Sequence, residues 1–202
     1  VEKLNMLKNN IQIVWFKRDL RITDHRPLFE ASLNSILTLP IYIVETDYWK
    51  QPFSSKRHWC FIHDSLKELR KDLKKTGQTL VVRIGSVKTI FEDLSVQYNI
   101  QSILSHEETG NKWTYDRDNE IKNWCHNKNI LFHEFPSNGV VRRLKNRTGW
   151  SKIRNLRMKE ELISTPTNLT PIIKIEEGEI PCKDDPIFKN NYSGIVQKGG
   201  RS

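Results

Sequence analysis

The sequence contains few cysteines and no long apolar run. Its three cysteines, Cys60, Cys125 and Cys182, are far apart, and none of them belongs to a C-x-x-C pair. This spacing argues against a zinc site or a disulfide framework and indicates free thiols in a reducing cytoplasm. No stretch reaches the ~18 apolar residues needed to span a bilayer, and the first residues lack the apolar segment of a signal peptide. We therefore expect a cytoplasmic protein without a membrane segment.

The motifs of several enzyme classes are also missing. The sequence has no phosphate-binding loop of the G-x-x-x-x-G-K-[ST] type and no G-x-G-x-x-G after the first predicted strand. A nucleotide-binding module of similar shape would therefore have no explained phosphate site. His58 and His63 lie on one predicted amphipathic helix, the carboxylates are scattered, and no Ser-His-Asp arrangement suggests itself. We identify no catalytic and no metal-binding residues.

Composition and charge describe a globular domain with a basic surface. Of the 202 residues, 37% are hydrophobic and 28% charged, which suits one domain of ordinary size followed by a tail. The net charge of +9 is compatible with a polyanionic partner, although many basic domains bind no nucleic acid.

Short apolar runs alternate with segments of helical periodicity along most of the chain. The runs are too short for helices and rich in β-branched residues, so they are interpreted as buried strands. Such an alternation predicts βαβ units, right-handed crossovers and a doubly wound, five-stranded parallel sheet of the Rossmann-like α/β class. The predicted strands cover residues 11–16, 36–44, 79–84, 102–106 and 130–135.

Three helix boundaries can be predicted from capping residues. Asp24 is expected to cap a helix that begins near Pro27. The longest amphipathic helix is expected to begin after Ser54 or Ser55 and to end at Gly77.

Pro40, inside the second predicted strand, has no backbone N–H to donate to a sheet and should mark a bulge or the true start of that strand.

The domain organisation follows from a change in composition near residue 164. We predict an N-terminal extension over residues 1–10, an α/β domain over 11–163 and an irregular linker over 164–202. The last part is polar and shows little periodicity, and a linker or a wrapping segment explains it better than a packed element. Its prolines are Pro166, Pro171, Pro181 and Pro186.

The run from Trp15 to Asp24, W-F-K-R-D-L-R-I-T-D, resembles a known signature. Photolyases and cryptochromes carry W-F-R-[RK]-D-L-R-x-x-D-N near their start; here Lys17 is an ordinary variation and His25 stands where Asn is usual. Further similar segments follow in the same order, so the resemblance covers roughly residues 11–135. These segments are Leu39–Ile43, Leu66–Leu69, Gly77–Leu80, Leu80–Ser86 and the pair Arg117–Asp118.

The resemblance implies a function for the full-length protein. Photolyases repair ultraviolet-damaged pyrimidine pairs in DNA with light and a reduced flavin, FAD, whereas cryptochromes share the architecture and signal. In both, FAD and the lesion pocket belong to a C-terminal helical domain that has no counterpart in these residues. The chain is thus expected to be the N-terminal domain of a photolyase-like flavoprotein, with the helical FAD domain and DNA as partners, and to be inactive alone. A cryptochrome-type light sensor and a ligand-free DNA-binding or interaction module are the alternatives.

The N-terminal domain of this family often holds a light-harvesting antenna: a methenyl folate, a deazaflavin or a flavin mononucleotide. Folate-binding members carry an Asn-Glu pair where this chain has Trp113 and Thr114, which argues against folate. Trp113 could stack on a tricyclic ring, although a lone aromatic residue at a helix start more often packs, here against the sheet edge. The polar residues that could fix such a ligand, or form structural ion pairs instead, lie mainly beyond the strand ends where open sheets bind ligands. They are Arg18, Asp19, Arg21, Asp47, Glu107 and Asn111.

A basic segment extends over residues 142–159 and contains no Asp or Glu. Basic residues interleaved with a tryptophan suit phosphate contacts with occasional stacking, so four residues of this segment are candidates for DNA contact. A solvated basic face or a contact with the helical half would explain the same charges. Trp150, Ile153, Leu156 and Met158 are compatible with a short helix against the body of the domain. The candidate DNA contacts are Arg142, Arg143, Lys145 and Arg147.

Overall fold

The computed structural model describes residues 8–142, 144–188 and 194–200. The strands within these ranges are β1 (Asn10–Phe16), β2 (Leu37–Val44), β3 (Val81–Ile84), β4 (Asn99–His106) and β5 (Leu131–Phe135). The helices are α1 (Arg26–Ser32), α2 (Thr46–Trp49), α3 (Lys56–Lys75), α4 (Val87–Gln97), α5 (Lys112–Asn127) and α6 (Trp150–Met158). None of the helices in these ranges is long and apolar enough to cross a membrane.

The five strands form one parallel sheet in the order β3-β2-β1-β4-β5. This arrangement confirms the predicted doubly wound α/β class. Side chains of β1 alternate between two apolar clusters: Trp15 packs with α4 and α5 on one face, and Phe16 packs with α1 and α3 on the other. Because helices cover both faces, every residue of β1 after Asn10 is buried, as its continuous apolar run predicts.

The chain changes direction across the sheet after β3. It progresses from β1 outward to β3 and then crosses back, through α4, to β4 on the other side of β1. The loops that follow β1 and β4 therefore leave neighbouring strands in opposite directions and open a crevice at their carboxyl ends, where open α/β sheets bind ligands.

Pro40 lies within β2, a strand with neighbours on both sides, where it pairs with Val14 of β1. The amide of Thr38 donates to Thr170, on the side of β2 away from β1. Hydrogen-bonding directions alternate along a strand, so the nitrogen of Pro40 faces that same side. Pairing of β2 with β3 begins only at Ile41, and the missing donor of Pro40 therefore interrupts no pair of the β2–β3 ladder.

The start of α1 differs from the prediction that Asp24 caps it. Asp24 has a positive φ of 50°, and the capping residue is His25, whose side-chain Nδ1 accepts a hydrogen bond from the amide of Leu28 at 3.1 Å. The prediction was wrong because Asp and His can both accept such a bond, and the left-handed turn at Asp24 places the imidazole there.

The tail packs against the domain over much of its described length. Residues 169–178 lie along the outer edge of β2 and β3, where the amide of Val82 donates to the carbonyl of Glu177. Arg70 of α3 also donates to the carbonyls of Glu177 and Gly178. Further along, Phe188 is buried and stacks on Trp59 with ring centroids 4.0 Å apart. The tail thus covers one edge of the sheet.

Candidate functional site

A cavity of about 840 Å³ opens at the carboxyl end of β1, beside α3; we call it the β1–α3 cavity. Its walls carry the cations Lys17, Arg18, Arg21 and Arg57 and a single carboxylate, Asp19. The aromatic rings of Tyr48 and Phe61 also line it, and the tail contributes Ile195, Gln197 and Gly200.

His58 also faces this cavity. Burial lowers the pKa of His58, and the nearby charge of Arg57 lowers it further. The positive charge at the surface of the cavity comes from Arg18, Arg21 and Arg57, while His58 is neutral at physiological pH. Such a surface favours an aromatic ligand that carries negative charge.

Buried ion pairs lie beneath the cavity, between β1, β2 and α5. Lys17 is almost fully buried and its Nζ lies 2.9 Å from Oδ2 of Asp118. Arg117 reaches Oε2 of Glu45 at 2.5 Å and Oδ1 of Asp118 at 2.8 Å. Arg18, whose side chain is 58% exposed, pairs with Glu108 at 3.2 Å. Burial raises the pKa of Glu45 to about 6, in spite of the opposing charge of Arg117.

Asp19 itself is in contact with three N–H groups. Its Oδ1 accepts from the backbone amide of Lys17 at 3.1 Å. Its Oδ2 lies 2.5 Å from Nε2 of His25 and also contacts Nδ1 of His106. Burial alone would raise the pKa of Asp19, but the two histidines lower it well below its usual value. For His25 it is burial that lowers the pKa. The cluster thus consists of an ionised carboxylate between two imidazole rings, and the ring of His25 is neutral.

Asp19, His25 and His106 have the residue types of a metal site, and their ligand atoms lie within 4.8 Å of one another. The cap of α1 argues against one. Since Nδ1 of His25 accepts the amide hydrogen of Leu28, the neutral ring carries its hydrogen on Nε2, the atom that a metal would need. His25 is therefore a hydrogen-bond donor to Asp19.

The seven predicted ligand-binding residues occupy different places. Arg18, Asp19 and Arg21 line the β1–α3 cavity. Asp47 and Trp113 line a separate cavity of about 400 Å³. Glu107 lies within 3.8 Å of Arg142 and Arg157, and Asn111 caps α5 by accepting from the amide of Thr114.

Sequence reasoning did not find the aromatic wall of the cavity or the histidine cluster. Tyr48 lies on the four-residue helix α2, too short to show a period, and Phe61 lies beside the apolar stripe of α3. His106 is 87 residues away from Asp19 in the sequence. The one available signal was His25, the residue that departs from the usual Asn of the signature.

The basic segment is divided between structural and exposed residues. Arg142 is 18% exposed and donates to Glu134 at 2.7 Å, whereas Lys145 and Arg147 are exposed. Arg143 lies outside the described residues. The expected short helix is α6, but it buries no side chain. Trp150, for example, is 39% exposed.

Comparison with known proteins gives consistent matches. A family model described as DNA photolyase matches residues 12–159. The chloroplastic/mitochondrial cryptochrome DASH of Solanum lycopersicum is 31% identical over 105 residues, 49% of this chain and 18% of that protein. The deoxyribodipyrimidine photo-lyase of Agrobacterium fabrum is 35% identical over 98 residues, 48% of this chain and 20% of that protein. The matched part is thus a small share of these relatives.

Solved structures agree in fold. A Synechocystis cryptochrome superimposes with a TM-score of 0.74 at 19% identity, covering 96% of this chain and 44% of that one. A class III photolyase from Agrobacterium tumefaciens gives a TM-score of 0.70 at 21% identity, covering 88% of this chain and 38% of that one. An archaeal photolyase from Sulfolobus tokodaii, solved with two FAD molecules, gives 0.64 at 20% identity, covering 79% and 38%.

Proposed function

Because this chain belongs to the DNA photolyase family, we propose that it is the N-terminal domain of a photolyase-like flavoprotein that repairs pyrimidine photolesions with light. In this role the domain supports a helical half that carries FAD, and its β1–α3 cavity binds a light-harvesting chromophore. A cryptochrome-type sensor would use the same domain in the same way. The cavity is the observation that supports chromophore binding.

The size and surface of the cavity suit a flavin mononucleotide or a deazaflavin. Its volume of about 840 Å³ lies within the range of small-molecule sites, ~300–1,000 Å³. Tyr48 and Phe61 offer ring faces for a planar tricycle, and Arg18 and Arg57 offer charge for an acidic side chain. Trp113 takes a supporting position, because its ring contacts that of Tyr48 edge-on at 5.5 Å.

Chromophore uptake by the purified chain tests this proposal. We expect flavin mononucleotide or a deazaflavin to bind saturably, with quenching of chromophore fluorescence. Phe61→Ala should weaken binding about tenfold, ~1.4 kcal/mol, by removing one stacking face. Trp150→Ala is the matched control, because Trp150 on α6 has nearly the same exposure, 39% against 40% for Phe61, and does not line the cavity.

Two outcomes would count against the chromophore site. One is that the chain neither releases a chromophore on denaturation, as detected by mass, nor takes one up when it is added. The other is that Phe61→Ala and Trp150→Ala change the affinity equally. Either would leave the scaffold role of the domain as the remaining part of the proposal.

We further propose that the exposed part of the basic segment contacts DNA in the full-length protein. Lys145 and Arg147 are exposed and can each release a counterion on meeting a phosphate. Replacing both by Gln should lower the slope of log affinity against log salt by about one for each residue. Fluorescence anisotropy of a labelled duplex over a salt series measures this slope.

Arg142 provides the contrast within the same segment. Because it is bonded to Glu134, we expect Arg142→Gln to lower the free energy of unfolding and to leave the salt dependence nearly unchanged. An unchanged slope for the double variant of Lys145 and Arg147 would contradict the DNA contact.

A further inference from the structure

A third cavity, of about 500 Å³, is lined by His106. It is enclosed by the carboxyl ends of β4 and β5, the loop after β1 and residues 157–163; we call it the β4–α6 cavity. His106 lines this cavity, whereas Asp19 lines the β1–α3 cavity. The hydrogen bond between the two residues therefore crosses the wall that separates them.

Asp19 fixes the hydrogen positions on His106. The ionised carboxylate accepts from Nδ1 of His106, so in the neutral ring Nδ1 carries the hydrogen and Nε2 carries the lone pair. Carboxylate-oriented histidines of this kind present Nε2 as a strong acceptor or base. His106 is only 5% exposed, and within the described part of the chain its Nε2 makes no hydrogen bond.

The cavity wall carries arginines and carboxylates at different depths: Arg21, Arg157 and Asp24 are half-buried, whereas Arg26, Glu160 and Glu161 are exposed. Arg21 is half-buried and donates from Nε and Nη2 to the carbonyls of Thr23 and Asp24; among the described residues its Nη1 makes no hydrogen bond. Arg157 is also half-buried; its Nη1 donates to the carbonyl of Val140 and lies 3.8 Å from Oε2 of Glu107.

The carboxylates are placed at the rim or already bonded. Glu160 and Glu161 are exposed, and Oδ1 of Asp24 accepts from the amide of Ile163. The half-buried guanidinium groups of Arg21 and Arg157 on this wall suit an oxyanion better than a metal ion.

We propose that the β4–α6 cavity binds the phosphate group of a small phosphoester, with His106 sharing a proton with a phosphate oxygen and Arg21 and Arg157 neutralising the charge. A phosphate ester has a second pKa of ~6, so part of its population still carries one proton at neutral pH. That proton can be shared with the lone pair of Nε2. If the proton moves to His106, the carboxylate of Asp19 stabilises the imidazolium behind it. The proposal does not rest on chromophore binding in the β1–α3 cavity, although Arg21 lines both cavities.

Nitrogen-15 NMR of the histidine rings, with inorganic phosphate as the probe, tests the proposal. In the free chain His106 should show a protonated Nδ1, and His25 a protonated Nε2. Adding phosphate should shift the Nε2 signal of His106 saturably and leave the ring of His133, which is exposed on β5, unchanged.

Two substitutions of the same kind separate the site from general effects. His106→Asn keeps an N–H near the position of Nδ1 for Asp19 but removes Nε2, and should weaken phosphate binding about tenfold or more. His133→Asn is the matched control and should bind as the original chain does. Binding can be followed in both through the backbone amides of residues 157–163.

Arg157→Gln serves as an independent variant should His106→Asn fail to fold, because Arg157 lies on α6, which buries no side chain. It should weaken phosphate binding several-fold. A shift that does not saturate, or equal binding by the original chain, His106→Asn and Arg157→Gln, would overturn the proposal.

Discussion

Replacement of Arg117 by methionine is expected to lower the free energy of unfolding by about 3–5 kcal/mol at neutral to mildly alkaline pH. Arg117 is the buried cation that bonds Glu45 and Asp118. Methionine keeps much of the apolar volume against Trp15, whose ring lies 4.9 Å from the guanidinium carbon. The loss therefore measures the cost of leaving two buried carboxylates without this partner, and urea denaturation determines it.

The expected pH dependence follows from Glu45. Burial already raises the pKa of Glu45 to about 6, and removal of Arg117 should raise it further. A carboxyl group with a raised pKa in the folded state destabilises that state as the pH rises through the raised value. The deficit of Arg117→Met should accordingly shrink when the pH is lowered from about 8 to about 5.

Lys112 provides the control for Arg117 on the same helix. Its pair with Asp116 is exposed, with Nζ and Oδ2 2.6 Å apart, so Lys112→Met should change the free energy of unfolding by ~0.5 kcal/mol or less. Similar losses in the two variants, or a deficit that grows in acid, would show that the buried ion pairs do not stabilise the fold as argued.

Replacement of Asp19 by asparagine is expected to cost about 2–4 kcal/mol of unfolding free energy at neutral pH. The side-chain NH2 of Asn would face at least one of the three N–H groups that now point at the carboxylate. Two donors would then meet without an acceptor between them. His25 cannot adapt by moving its hydrogen to Nδ1, since that atom caps α1 through Leu28. Circular dichroism during urea denaturation gives the loss.

The acid dependence distinguishes the charge of Asp19 from its shape. Because the pKa of Asp19 is lowered in the folded state, its contribution is complete above about pH 4 and disappears as the pH falls through the lowered value. The original chain and Asp19→Asn should therefore converge in strong acid. His25, whose pKa is lowered by burial, destabilises both as the pH falls below about 6.5.

Asp47→Asn controls for the loss of one negative charge. Asp47 is 67% exposed and pairs with Lys50, so we expect a change below ~1 kcal/mol. Equal losses for the two Asp-to-Asn variants would contradict the role given to the histidine cluster.

The fold was accessible from the sequence because its strands are buried on both faces. Continuous apolar runs such as Ile11–Phe16 and the stripe of α3 gave element types, and their alternation gave the parallel sheet. The cap at His25 was missed because propensity favours Asp24, and α2 because four residues show no period. Boundaries such as the start of β4 at Asn99, three residues before the prediction, were less accurate.

The site was only partly predictable because its contacts are non-local. Arg18, Asp19 and Arg21 could be placed from their position after β1 alone. The remaining parts of the site depend on contacts between segments that are far apart in the sequence, and no sequence spacing predicts such contacts. These parts are the partner of Asp19 on β4, the ring of Phe61 and the wall formed by residues 195–200.

The two edges of the sheet are unequal, and this has a consequence for aggregation. The edge at β3 is closed by the tail, through Val82 and Glu177. In the part of the chain that the structure describes, nothing pairs with the outer edge of β5, where Leu131 is 62% exposed. A chain with one open edge can pair with one neighbouring chain, and the resulting pair has no open edge left. Edge-to-edge association would therefore end at a two-fold pair and could not continue into a fibre.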